Sequence, residues 1–163
     1  MKSTILLGDS ITELNPFKHE KVINLGVYGN TTVDIASRIR KISDLKCQKV
    51  ILKVGINDVL NGFSLDKSSE YYKEILLTLE KNFKKIIVIS ILPIEGRSRI
   101  NMKVRKLNKI IEEKAATNNF KFIDLYPLFC DADLNLKREY SVDGIHLSPK
   151  GYEILNKEIL RLL

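Results

Sequence analysis

Five short apolar runs punctuate the chain: Ser3–Leu7, Val22–Leu25, Val50–Val54, Ile86–Ile91 and Phe120–Leu125. They are continuous rather than alternating, the pattern of strands covered on both faces as in a parallel sheet. Between them the apolar residues recur at helical spacing. Val33, Ala36, Ile39 and Ile42 form one stripe; Tyr72, Ile75, Leu76, Leu79 and Phe83 form a second; Ile100, Val104, Leu107, Ile111 and Ala115 form a third. A last helix is predicted from Ser148-Pro149, a hydroxyl cap followed by proline at the first helical position, and it carries Tyr152, Leu155, Ile159 and Leu162. Strand and helix alternate throughout. That order predicts an α/β fold, a mostly parallel sheet with right-handed crossovers and helices on both faces.

At 163 residues, with no internal repeat, low-complexity stretch or linker, the chain reads as a single domain over 1–163. A domain of this size buries roughly 68–70% of the surface its unfolded chain exposes, so it needs no disulfide or structural metal to fold. Its 27 Lys+Arg against 20 Asp+Glu give a net charge of +7, but the basic residues are spread over nearly every helix-like segment. Solvated helix faces explain them better than a nucleic-acid footprint does. Cys47 and Cys130 are far apart, with no second Cys or His at ligand spacing, which argues against a zinc site or a redox pair. The N-terminal residues Met1 to Asp9 lack the long apolar core of a secretory signal, and no apolar run approaches a membrane span. The expectation is therefore a cytoplasmic protein.

In a parallel sheet every strand presents its carboxyl end at one edge, where ligands bind. The polar and glycine residues of this chain collect there. Gly8-Asp9-Ser10 follows the first strand, Gly26-Val27-Tyr28-Gly29-Asn30 the second and Gly55-Ile56-Asn57-Asp58 the third, while Asp143-Gly144-Ile145-His146 lies beyond the fifth. Ser10 is a weak nucleophile unless a base takes its proton. Two histidines are available. His19 sits in the charged stretch Phe17–Lys21 at the opposite sheet edge, and is expected to be a loop residue. His146 has Asp143 three residues before it, close enough for the carboxylate to hold one ring nitrogen and leave the other for Ser10.

Acyl transfer also needs donors aimed at the developing oxyanion. The Ser10 N–H, the Gly29 N–H and the Asn57 side-chain amide are candidates. Each has an ordinary structural explanation too: Gly29 as a turn glycine with positive φ, Asn57 and Asp58 as turn or cap residues, and Asp143-Gly144 as a turn before a capped helix. Their joint placement after strands of one sheet is what favours chemistry.

The ordered blocks Gly8-Asp9-Ser10-Ile11-Thr12, Gly26-Val27-Tyr28-Gly29-Asn30-Thr31, Gly55-Ile56-Asn57-Asp58 and Asp143-Gly144-Ile145-His146-Leu147 resemble the signature blocks of the SGNH hydrolases, also called the GDSL esterase/lipase family. The resemblance covers the whole chain and implies a three-layer α/β/α sandwich with a five-stranded parallel sheet, flavodoxin-like in form. Carried over by position, it makes Ser10 nucleophile and oxyanion donor, Gly29 and Asn57 the other donors, His146 the base and Asp143 its orienter. Two departures stand out: Ile11 replaces the leucine of the first block, and Gly26 competes with Gly29 for the glycine role. Ile91-Leu92-Pro93-Ile94, with Asn101 and Asn108, is similar to the small acetylhydrolase-like branch.

No Gly-x-Gly-x-x-Gly or Walker loop is present, and Ser10 is not in a Gly-x-Ser-x-Gly elbow. No cofactor or metal is expected. The leading expectation is a serine esterase cleaving short-chain, above all acetyl, esters of a small molecule such as a sugar. A lysophospholipase or thioesterase acting on longer chains, including lysolipid, is the enzymatic alternative. A non-catalytic flavodoxin-like binding domain is the alternative of another class, and the Asp143/His146 pair speaks against it, since a binding module has no use for an oriented base.

Overall fold

The computed structural model describes residues 3–42 and 45–163; Met1 and Lys2, part of the leader reading, lie outside them. Five strands, β1 (Thr4–Gly8), β2 (Val22–Gly26), β3 (Lys49–Lys53), β4 (Lys85–Ile89) and β5 (Lys121–Ile123), form one sheet in the order β2-β1-β3-β4-β5. Every pairing is parallel. The helices are α1 (Ser10–Glu13), α2 (Thr32–Ile42), α3 (Ile56–Leu60), α4 (Leu65–Asn82), α5 (Ser98–Thr117), α6 (Tyr126–Phe129) and α7 (Pro149–Leu162), with a 3₁₀ turn at Arg138–Tyr140.

The side-chain period of two splits each strand between two cores. Ile5, Leu7, Val50, Leu52, Ile86 and Val88 face the predicted stripes of α2, α4 and α5. Leu6, Ile51, Ile87 and Ile89 face the other way, onto Tyr152, Leu155 and Ile159 of α7 and onto Phe129 of α6. The result is the expected α/β/α sandwich. The start of α7 follows the predicted chemistry, Ser148 Oγ accepting the Gly151 N–H, and α4 starts in the same way, Ser64 Oγ accepting the Lys67 N–H. No helix among the described residues is long and apolar enough to cross a membrane.

Strand ends differ from the sequence reading. β4 stops at Ile89 although the apolar run continues, because Ile91 exchanges two hydrogen bonds with the Asn108 side chain and Ile94 two with that of Asn101. β5 is only three residues long, since the Leu125 and Tyr126 amides turn away to the Ser90 hydroxyl. β1 and β2 each run one residue further than predicted, to Gly8 and Gly26. Strand order reverses at β1, so the chain leaves β1 and β3 in diverging directions. In such sheets the position between those two carboxyl ends is where ligands bind.

Candidate active site

Asp9 leaves β1 and caps α1, its Oδ1 accepting the Ile11 N–H at 3.1 Å. Ser10 is thereby the first residue of a helix, where backbone N–H groups have no intrahelical acceptor. Its side chain is nearly buried, and Oγ lies 3.0 Å from His146 Nε2. His146 comes from the loop ahead of α7. Asp143 folds that loop by accepting the Ile145 and His146 N–H groups on Oδ1, at 3.0 and 2.8 Å, while Oδ2 lies 2.6 Å from His146 Nδ1. A carboxylate only accepts, so Nδ1 carries the ring proton and Nε2 faces Ser10 as acceptor. Partial desolvation pushes the Asp143 carboxyl up, but the hydrogen bonds from the His146 ring and from the His146 and Ile145 amides outweigh it, bringing it down to about 2.

Gly29 has φ +76°, and a Cβ there would meet nothing within 4 Å. Glycine is needed for conformation at that position, not for space. Gly26 is the reverse case: a Cβ would stand 2.1 Å from the Glu13 nitrogen and 2.6 Å from its Cα, so Gly26 lets the end of β2 touch α1. This separates the two glycines that the sequence left in competition. The Gly29 N–H has no acceptor among the described residues. Asn57, in the first turn of α3, donates one Nδ2 hydrogen to the Asn30 carbonyl at 3.0 Å and keeps the other. Its neighbour Asp58 is fully buried and takes both the Thr32 N–H and hydroxyl, at 2.8 and 2.6 Å, clamping α2 to α3.

His19 is remote from this arrangement, its ring stacked on Phe17 and its Nδ1 accepting the Lys21 N–H. The expected site residues Ser10, Asp143 and His146 are therefore brought into one hydrogen-bonded line, with the Gly29 turn joined to Asn57 on α3 through Asn30.

Three features escaped sequence reasoning. The Tyr28 ring stacks on His146 at 5.5 Å between centroids and is 63% exposed. The Glu13 carboxylate holds the Tyr28 N–H. Lys53, at the end of β3, is buried 3.8 Å from Asp9, where solvent exposure would be the default for a lysine closing a strand. Burial pushes its amine down, with Asp9 opposing that shift. No local sequence signal marks any of these contacts, because each joins residues far apart in the chain.

The profile of the GDSL-like lipase/acylhydrolase family matches residues 6–154, spanning every block described above. The chain belongs to this family. It is accordingly a hydrolase acting on ester bonds. A GDSL-like lipase from Bacteroides thetaiotaomicron superposes with a TM-score of 0.85 at 26% identity, over 99% of this chain and 89% of that one. An acetylxylan esterase from Geobacillus stearothermophilus shares the fold with a TM-score of 0.84 at 21% identity, over 98% of this chain and 93% of that one. In sequence, the chain is 30% identical over 118 residues to the N-acylneuraminate cytidylyltransferase of Escherichia coli, covering 70% of this chain. It spans only 28% of that relative's length.

Proposed function

We propose that this GDSL-family hydrolase cleaves acetyl and other short acyl esters of a small polar alcohol such as a sugar, through an acyl-enzyme on Ser10. The observation that carries the reading is the Ser10 Oγ to His146 Nε2 approach of 3.0 Å, continued by the 2.6 Å contact to Asp143. His146 Nε2 takes the hydroxyl proton as Oγ attacks the ester carbonyl, and Asp143 stabilises the imidazolium that forms. The carbonyl oxygen gains negative charge facing the Ser10 and Gly29 N–H groups and the free Asn57 amide hydrogen. The tetrahedral adduct collapses, breaking the bond to the alkoxy oxygen, which leaves as the alcohol with the proton from His146. Water then attacks the acyl-enzyme by the same route in reverse, releasing the carboxylic acid and restoring Ser10.

Acyl length follows from the walls. A chain gains about 0.8 kcal/mol per buried CH₂ only where apolar surface receives it. Ile91, Leu92 and Ile94, the segment best placed to line a long groove, are each at most 2% exposed and committed to the core. The acetylxylan esterase with the same fold supports a sugar ester as substrate.

One observation favours the longer-chain alternative. Leu14, Val27, Tyr28 and Val142 are exposed apolar residues adjoining α1, Gly29 and Asp143 in sequence. Measuring kcat/KM across p-nitrophenyl esters decides between the two. A maximum at acetyl to butyryl, abolished in Ser10→Ala, is expected; a maximum at decanoyl or beyond would establish the lysophospholipase or thioesterase reading instead.

A further inference from the structure

Arg38 lies on α2, away from the loops that carry the signature blocks, yet its half-buried side chain returns to the carboxyl edge of the sheet. Nε donates to Asn30 Oδ1 at 2.8 Å, and Nη2 donates to the carbonyls of Leu25 at 2.8 Å and Gly8 at 3.2 Å. All three acceptors are neutral. Asp34, the carboxylate one turn earlier, is hydrogen-bonded instead to the Thr31 N–H and hydroxyl, at 2.7 and 2.6 Å, and makes no ion pair with Arg38 within 4.0 Å among the described residues.

Those acceptors sit at the roots of all three donors. Gly8 is the last residue of β1, from which Asp9 and Ser10 continue, and its carbonyl also accepts the Val27 N–H at 3.0 Å. Leu25 is the next-to-last residue of β2, just before the turn that bears Gly29. Asn30 follows Gly29 directly, and while its side chain takes Arg38, its carbonyl takes the Asn57 amide. The Gly29 turn is thus held from one side by Glu13 on the Tyr28 N–H and from the other by Arg38 on Asn30. A guanidinium presents its donors in a rigid plane, whereas an ammonium is a flexible point charge. Only the former can set three acceptors in a fixed relation.

We infer that Arg38 is a positioning residue that sets the Ser10, Gly29 and Asn57 donors in register for the tetrahedral transition state. This rests on the reading of those three groups as oxyanion donors. Arg38 acts through Gly8, Leu25 and Asn30, so its removal should weaken transition-state stabilisation while leaving ester binding nearly intact. A misplacement of about 1 Å at a reacting centre costs on the order of 10²-fold in rate.

The test compares wild type with Arg38→Lys, Arg38→Gln and Arg38→Ala in the full chain on p-nitrophenyl acetate, with active sites titrated so that misfolded protein is not counted. Expected is a loss in kcat of roughly 10- to 100-fold with KM within about threefold, Lys failing nearly as badly as Gln despite keeping the charge. Affinity for phenylboronic acid, which forms a tetrahedral adduct with a serine, should fall by the same factor as kcat/KM. Guanidinium ion, but not methylammonium, should restore part of the Arg38→Ala rate.

Variants with lowered melting temperature but wild-type kcat per titrated site overturn the inference, as does a loss confined to KM or full activity in Arg38→Lys. Ser10→Ala and Asn57→Ala run alongside: if these keep wild-type rates, the donor reading itself fails. If they are impaired while the Arg38 variants are not, only the role of Arg38 fails.

Discussion

Replacing Asp143 by asparagine should damage turnover more than replacing it by alanine. The carboxylate does two jobs with two oxygens: Oδ1 accepts the Ile145 and His146 amides, and Oδ2 accepts the His146 ring proton. An asparagine can reproduce only one. If its oxygen faces the two amides, its NH₂ faces Nδ1, which must then be the bare nitrogen. The proton moves to Nε2, and the ring has no lone pair left for the Ser10 proton. If the side chain flips, its NH₂ points at two N–H donors and both loop bonds are lost.

A neutral hydrogen bond contributes about 0.5–1.5 kcal/mol, so the flip merely exchanges one ring bond for another while forfeiting both loop bonds. Asparagine therefore settles with the ring in the wrong tautomer. In alanine the ring is free of either constraint. Water reaches Nδ1, since the Asp143 side chain is 51% exposed, so the loss at the ring is that of one charge-assisted bond, roughly 10- to 100-fold in kcat, while the two loop bonds lost with Oδ1 lower stability. The wrong tautomer costs on the order of 10⁴ in kcat in the serine-protease triad. The sequence alone left open a milder outcome, in which a backbone carbonyl holds the ring in place of the carboxylate; among the described residues the only group bonded to Nδ1 is Asp143. Single-turnover hydrolysis of p-nitrophenyl acetate by both variants measures the ratio directly. An asparagine variant faster than the alanine variant would refute the tautomer argument.

Asn57→Ala should lower kcat by roughly 10²–10³ with little change in KM, measured by steady-state hydrolysis of the same ester. Gly26→Ala should be far more destabilising than Gly29→Ala in urea denaturation, because the first forces a Cβ into the Glu13 backbone and the second meets only the positive φ, a cost of about 1–3 kcal/mol. The Asp143 carboxyl, lowered in the folded state, contributes stability that is complete above its unfolded value and is lost as pH falls from about 4 through about 2. The stability gap between wild type and Asp143→Ala, followed by thermal melting, should therefore narrow across that window and stay level above it. His19→Ala should leave ester hydrolysis unchanged when assayed under the same conditions.

What the sequence discloses here is whatever is written locally. The central strands are legible because burial on both faces demands unbroken aliphatic runs, and α2, α4, α5 and α7 because a stripe at helical spacing needs several turns to declare itself. Helices α1, α3 and α6 span four or five residues, too short for any period to show. The end of β4 is illegible for a different reason: Ile91 to Ile94 are as apolar as the strand, and only the distant Asn101 and Asn108 side chains take their backbone out of the ladder. The Ser10, Asp143 and His146 arrangement is readable because each residue stands in a short block and the parallel sheet brings the blocks together. Gly29 is chosen over Gly26 by its position in the block, but the physical difference between them is not readable. Gly26 and Gly29 differ in what surrounds them, and that is a tertiary fact.

The Lys53 and Asp9 pair shows where such reading stops. A lysine at the end of an aliphatic strand suggests a charge reaching solvent, yet Lys53 is 4% exposed and Asp9 wholly buried. Their closest approach, 3.8 Å, is too long for a hydrogen bond, and neither Lys53 Nζ nor Asp9 Oδ2 hydrogen-bonds to any described residue. A buried pair in such geometry returns less than apolar packing of the same volume would, so stability does not account for it. The proposed mechanism gives a reason from location: Asp9 is the cap that starts α1 on Ser10, and a carboxylate beneath a serine whose attack would build negative charge would add a repulsion. Lys53 offsets that charge from the neighbouring strand. On that mechanism the ion pair follows from capping the Ser10 helix with aspartate, and the lysine in β3 from the aspartate just beyond β1.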